Sequence, residues 1–150
     1  MSATTKFDAE KAENMQEIEQ QFSVKAVDQL EAYWKLLGAI PGSKLRLTPF
    51  DEEIYDEFIK VFPEYKQTAK VCVISENEIK SKEGKERWRG FLKKFEKKVE
   101  DYNFGTMERV DASKEYTEEN TILVLRLQFY AFEIARNKLG LNDWACRKKA

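Results

Sequence analysis

Apolar side chains recur at intervals of three and four along much of this chain. From about Ser23 to Leu37 the stripe is Val27, Leu30, Tyr33, Trp34 and Leu37, which predicts a helix stopped by Gly38 and by Pro41-Gly42. A second helix is predicted to open with Thr48 as N-cap and Pro49 at the first helical position. Asp51, Glu52 and Glu53 follow in the first turn, where carboxylates suit the helix dipole. Ile54, Phe58 and Phe62 are its buried stripe and Pro63 marks its end. Ser75-Glu76-Asn77-Glu78 reads as a capping box at the head of a polar helical stretch, which Gly84 is expected to interrupt. The amphipathic pattern resumes at Trp88 and continues through Phe91, Leu92, Phe95, Val99 and Tyr102. Thr117, with Glu118 and Glu119 behind it, is read as the start of a last helix over about 118–138. Its apolar residues, from Ile122 to Ile134, cover most of the circumference. Only Arg126, Glu133 and Asn137 form a polar strip. A helix apolar nearly all round belongs in the middle of a bundle. The strip also predicts structural roles for Arg126 and Glu133, because burying either charge requires a partner.

Three short stretches are extended in character: Lys44 to Leu47, Ala69 to Ile74 and Thr106 to Asp111. The predicted architecture is therefore mainly α, a single-domain helical bundle with a small two- or three-stranded β-sheet. Residues 1–22 carry few sizeable apolar groups and are expected to form a lightly docked arm. The domain proper spans 23–140, and 141–150 is a short tail. The 150 residues suffice for one core, and no repeat or long linker divides them.

Composition narrows the chemistry. The chain contains no His, which removes the usual general base near neutral pH and every His-containing nucleophile pair or metal site. Cys72 and Cys146 stand alone, without a CxxC spacing, as in an ordinary cytoplasmic chain. Neither GxxxxGK[ST] nor GxGxxG occurs, so no nucleotide-phosphate loop is expected. The aliphatic runs are far shorter than the roughly 20 residues of a membrane span, and the N-terminus lacks the apolar core of a secretory signal. No catalytic, cofactor-binding or metal-binding residue emerges. A cytoplasmic binding protein rather than an enzyme is the expectation.

Net charge is −1, yet the charges are segregated. Lys85, Arg87, Arg89, Lys93, Lys94, Lys97 and Lys98 make a basic stripe, while Asp51, Glu52, Glu53, Asp56 and Glu57 make an acidic one. Two solvated helix faces in mutual contact explain both. An RNA- or ribosome-binding module using 85–98 is the alternative, although the neighbouring aromatics lie at core spacing rather than where bases would stack. Asp101 to Thr106 suits a tight helix-to-strand turn, with Asn103 and Gly105 at positive φ. Glu118 and Glu119 are adjacent, about 100° apart on a helix, and so do not face each other as a catalytic carboxylate pair would.

The run Tyr116-Thr117-Glu118-Glu119-Asn120-Thr121-Ile122, with Arg126-Leu127-Gln128-Phe129 and Glu133-Ile134-Ala135-Arg136-Asn137 after it, resembles the signature of the polysaccharide biosynthesis domain-containing protein family. Tyr33 with Lys35-Leu36, Ile54-Tyr55 with Glu57-Phe58, Lys85-Glu86 with Trp88-Arg89, and Glu100-Asp101 with Asn103 and Gly105-Thr106 extend the resemblance over about 24–140. It implies a dedicated, ATP-independent chaperone of newly made translation elongation factor 1A. Such a protein engages the GTP-binding domain at the ribosome with help from the nascent polypeptide-associated complex. The family label also admits a role in polysaccharide assembly, although no DxD or nucleotide loop accompanies it. A nucleotide-free GTP-binding domain presents basic and apolar loops, to which acidic and amide groups beside aromatics are complementary. Glu118, Glu119, Asn120, Asp101, Asn103 and Phe104 are therefore the expected client-binding residues. In the tail, Leu141 and Trp144 form either a final turn capping the bundle or an i,i+3 helix-in-groove motif for the nascent polypeptide-associated complex.

Overall fold

The computed structural model describes residues 25–147. The expected arm over 1–22, the Ser23 start of the first helix and the last three residues lie outside that range. Six helices and a two-stranded antiparallel sheet follow one another along the described chain. Helix α1 covers 25–39, and a 3₁₀ turn (Gly42–Lys44) leads to α2 (Asp51–Val61). A second 3₁₀ turn (Pro63–Lys66) precedes α3 (Thr68–Cys72), α4 (Glu76–Lys80) and α5 (Lys82–Phe95). Then come β1 (Gly105–Arg109), β2 (Thr121–Leu125), α6 (Arg126–Lys138) and a closing 3₁₀ turn (Asp143–Ala145).

The main core lies where α2, α5 and α6 meet. Ile54 and Phe58 of α2, Trp88, Phe91 and Phe95 of α5, and Leu127, Ala131 and Phe132 of α6 are all buried there. Phe58 is its centre. Its ring stacks on Tyr65 at 4.9 Å and on Trp88 at 5.7 Å, and meets the edge of Phe132 at 5.7 Å. A smaller cluster joins α1 to the sheet through Tyr33, Leu37, Val124, Phe129 and Ala145. Helix α6 is buried from Leu127 to Phe129 and from Ala131 to Asn137, so it occupies the central position expected of an all-round apolar helix. The acidic and basic stripes do face each other. Glu57 pairs with Lys94 at 2.8 Å, Glu53 with Lys98 at 2.7 Å, and Glu64 takes both ends of the Arg87 guanidinium.

Several expectations are corrected. The stretch 118–138 is not one helix. Its first apolar residues, Thr121 to Leu125, form β2, and α6 begins only at Arg126. The continuous apolar signal arose because a strand runs directly into a helix, the Gln128 side chain accepting the Leu125 N–H at 2.8 Å at the junction. Among the expected strands only 106–111 survives, as β1. Ala69 to Cys72 is helical, and Val73 contributes a single bridge to Asp111. Lys44 to Leu47 is a 3₁₀ end followed by irregular chain. In α1 the buried face is Ala26, Tyr33 and Leu37, whereas Val27 is exposed. Helix α2 starts two residues beyond Pro49. The Thr48 hydroxyl accepts the Phe50 N–H instead of capping the helix, and the Asp51 carboxylate gathers the Leu47 and Thr48 amides. Asp101, not Asn103 or Gly105, takes the positive φ of the turn before β1.

Gly84 does not interrupt a helix. The break falls at Ser81, whose hydroxyl caps α5 by accepting the Gly84 N–H at 3.0 Å, and Gly84 sits inside the first turn. A Cβ there would collide with the Glu78 carbonyl, whereas one on Gly90, in the same helix, would meet nothing within 4 Å. Alanine should therefore act with opposite sign at the two sites. Gly84→Ala is expected to destabilise by about 1–3 kcal/mol and Gly90→Ala to stabilise by about 0.5–1 kcal/mol. Urea denaturation of the two variants checks both.

Candidate functional site

The sheet carries charge into the centre of the molecule. β1 and β2 pair from Gly105↔Leu125 to Arg109↔Thr121, so Thr106, Glu108 and Val124 share the inner face. Glu108 and Arg109 of β1 and Glu133 and Arg136 of α6 have fully buried side chains. They form one network. Arg136 Nη1 donates to Glu133 Oε2 at 3.1 Å and lies 3.6 Å from Glu108 Oε1. Its remaining N–H groups reach the Val71, Cys72, Arg109 and Val110 carbonyls. Arg109 reaches Glu133 Oε1 at 3.3 Å, the Asn142 side chain, and the Ala112 carbonyl at 2.9 Å. Tyr33 from α1 donates its hydroxyl to Glu133 Oε1 at 2.8 Å, and Asn142 donates to the same oxygen at 2.9 Å.

The two carboxyl groups differ in protonation. Burial pushes Glu108 well above the usual carboxylate range, and the neighbouring Glu133 charge adds to this. Burial would raise Glu133 as well, but Arg109 and Arg136 outweigh it and hold that group at about 2. The ionised form of one carboxyl is favoured between two guanidinium groups, while that of the other is disfavoured. Opposed carboxyls of this kind are also how acid–base sites are built. Here, however, no side chain of the four touches solvent, so this conformation brings no substrate to them.

Above the network lies an aromatic cluster, half-buried at Trp34 and Tyr116 and exposed at Trp144. The Arg109 guanidinium sits 5.3 Å from the Trp34 ring and 5.6 Å from the Tyr116 ring. Trp34 meets the edge of Tyr116 and packs against Trp144, each at 5.8 Å. Trp144 anchors its indole N–H on the Ala112 carbonyl at 2.9 Å yet remains 48 % exposed. Val73, 51 % exposed, bridges to Asp111.

The expected client-binding residues are not gathered at one place. Glu118 and Glu119 are exposed in the loop before β2. Asn120 is buried. It accepts the Asp111 N–H and donates to the Asp111 and Glu115 carbonyls, which closes the 111–120 loop. Asp101, Asn103 and Phe104 belong to the turn before β1, at the Gly105/Leu125 end of the ribbon, whereas Glu118 to Asn120 flank the Arg109/Thr121 end. At about 3.4 Å per residue the ribbon separates the two groups by roughly 14 Å. In the tail, Leu141 packs against the main core, and Gly140 takes the left-handed conformation (φ 73°) that closes α6. Arg126 is half-buried and bonds Gln29 at 2.7 Å. Cys72 and Cys146 are both half-buried. Among the described residues no His/Cys/Asp/Glu group is arranged to hold a metal ion, and no helix is long and apolar enough to cross a membrane.

Sequence reasoning missed Glu108, Arg109, Arg136 and Asn142. The available signal was Glu133 and Arg136 at i,i+3 on a largely apolar helix, a spacing that lets the pair meet.

The fold has a counterpart among solved structures and the sequence has curated relatives. Residues 18–147 match the model of the PBDC1 protein family, and the chain belongs to that family. It is 62 % identical to the protein PBDC1 homolog of Saccharomyces cerevisiae, over 95 % of this chain and 98 % of that one. The Schizosaccharomyces pombe PBDC1 homolog is 54 % identical over 94 % of this chain and 96 % of its own length. Human protein PBDC1 is 44 % identical over 89 % of this chain, which spans 56 % of the human protein. A solution NMR structure of a Saccharomyces cerevisiae protein, 60 % identical, superposes with a TM-score of 0.85 over 97 % of this chain and all of that one.

Three sets of outcomes follow from the network. Glu133→Ala leaves two buried guanidinium groups without their carboxylate and is expected to cost about 3–5 kcal/mol. The lowered pKa of Glu133 means that its contribution is complete above the ordinary carboxylate range and disappears as pH falls toward about 2. The raised one of Glu108 acts oppositely, so stability declines as pH rises above the ordinary carboxylate range, and Glu108→Gln should flatten that decline. Chemical denaturation from pH 2.5 to 8 measures both slopes. Deleting 141–150 removes the fully buried Asn142 together with Leu141 and Trp144. It should lower the melting temperature clearly, whereas a freely hanging motif would leave it unchanged.

Proposed function

We propose that this chain is an ATP-independent chaperone that binds newly synthesised translation elongation factor 1A at its GTP-binding domain, co-translationally and in the cytoplasm. The observation that carries this reading is how the charged groups are divided. The four most chemically suggestive side chains, Glu108, Arg109, Glu133 and Arg136, are fully enclosed, while Trp144, Glu118 and Glu119 are exposed and Trp34 and Tyr116 are half-buried beside Trp144. Aromatic groups beside carboxylates, on a rigid support, suit a partner with basic and apolar loops. The resemblance of the 116–137 signature supplies the identity of the client. It also supplies the nascent polypeptide-associated complex and the ribosome as co-workers. RNA binding by the basic stripe draws less support, since Arg87, Lys94 and Lys98 are engaged with Glu64, Glu57 and Glu53. A role in polysaccharide assembly rests on the family label alone.

The test is capture of ribosomes stalled after the GTP-binding domain of elongation factor 1A has emerged. The chain should enrich them over ribosomes stalled on unrelated proteins, and equal recovery would defeat the proposal. Charge reversal at exposed Glu118 and Glu119 should weaken capture about fivefold or more without changing the melting temperature. Asn120 is unsuitable for this test, because its bonds hold the loop.

A further inference from the structure

The β2 edge is open and uncharged. Hydrogen bonds from Val110 N–H to the Asn120 carbonyl and from Arg126 N–H to the Phe104 carbonyl set the phase of the ladder. In an antiparallel pair bonded residues alternate with non-bonded ones, so Thr106/Val124 and Glu108/Ile122 exchange bonds. Thr121, Leu123 and Leu125 therefore turn their N–H and C=O outward, as do the residues opposite them. On the β1 side these groups are used: Arg136 donates to the Arg109 carbonyl and Tyr116 reaches that of Met107. On the β2 side the Leu125 N–H is taken by Gln128. Among the described residues nothing hydrogen-bonds the outward N–H and C=O of Leu123, whose side chain is 53 % exposed and lies against Gly105. Edge strands are normally guarded by a charge, a proline or a bulge. Thr121-Ile122-Leu123-Val124-Leu125 has neither charge nor proline, and it pairs in continuous register.

We propose that β2 is a docking edge that accepts an extended segment of a partner polypeptide as a third strand, with apolar residues alternating with basic ones. The edge supplies the main-chain bonds, and Leu123 and Met107 on the outer face supply an apolar seat. The basic preference follows from Glu115, Glu118 and Glu119, all exposed on the loop that enters β2, with Lys114 the basic residue beside them. This rests on the reading of the chain as a polypeptide-binding protein but not on the identity of its client.

The probe is an acetylated, amidated peptide of sequence Lys-Val-Lys-Val-Lys-Val-Lys, with the Glu-Val counterpart as control, titrated into the ¹⁵N-labelled full chain. At saturation the basic peptide should slow exchange of the Leu123 amide at least tenfold and shift the Thr121 and Leu125 resonances, and the acidic peptide should not. Leu123→Pro removes an N–H that the fold does not use and should abolish binding. Leu123→Lys keeps the N–H, places a charge on the edge and should weaken binding at least tenfold, which decides the matter if the proline variant is unfolded. Unchanged exchange at Leu123, or undiminished binding by a folded Leu123 variant, overturns the proposal. So does concentration-dependent dimerisation lost in Leu123→Lys, which would make a second copy of the chain the occupant. Protection of Leu123 by the peptide together with failed capture of elongation factor 1A would keep the edge and reject only the client.

Discussion

The Glu133 carboxylate holds this structure to one arrangement. An ionised carboxylate in a dry interior is unfavourable by several kcal/mol unless every lone pair is answered, and so are the two guanidinium groups beside it. Glu133 is answered by Arg109 from β1, Arg136 one turn along its own helix, Tyr33 from α1 and Asn142 from the tail. Elements remote in sequence thus meet at one group. None can shift without leaving a buried charge or donor unpaired, a constraint that apolar packing alone does not impose.

Much of the surrounding geometry follows. Arg136 spans to the Val71 and Cys72 carbonyls at the end of α3 and to the Arg109 and Val110 carbonyls beyond β1, which fastens the α3 end against the sheet. The two chain segments then form the Val73–Asp111 bridge. Arg109, held from below by Glu133 and Asn142, presents its flat face to Trp34 and Tyr116. The aromatic cluster therefore stands on a fixed support, with little conformational freedom. The raised pKa of Glu108 beside Glu133 serves the same end, since it disfavours a second carboxylate opposing the first.

The other charged surfaces are arranged differently. The acidic face of α2 and the basic face of α5 meet through partly exposed pairs such as Glu53–Lys98 and Glu57–Lys94, each of small energetic weight. They orient the helices but leave the core contacts of Phe58 to hold them together. What remains open to a partner is the aromatic cluster, the acidic 115–119 loop and the unguarded β2 edge. The acidic loop leads directly into the β2 edge, whereas Tyr116 covers the β1 side of the ribbon.

The sequence by itself determined the α2, α5 and α6 core, because Ile54, Phe58, Trp88, Phe91, Phe95 and Phe132 recur with the period of a helix and are too large to leave in water. It also determined the Ser75 cap and the meeting of acidic and basic faces. Both are local or patterned properties. It did not distinguish β2 from the first turns of α6, since the four consecutive apolar residues Ile122 to Leu125 satisfy either period and only pairing with β1 selects the strand. Nor did it reveal that Glu108, Arg109, Glu133, Arg136 and Asn142 share one site. These residues are ordinary in isolation, and their burial is acceptable only once the fold supplies each with its partners. The same holds for the expected client residues. Asp101 to Phe104 and Glu118 to Asn120 look like equivalent polar turns along the chain, but antiparallel pairing sends them to opposite ends of the ribbon and turns Asn120 inward. Which polar groups face a partner is a property of strand register and burial, and that was decided by the tertiary structure.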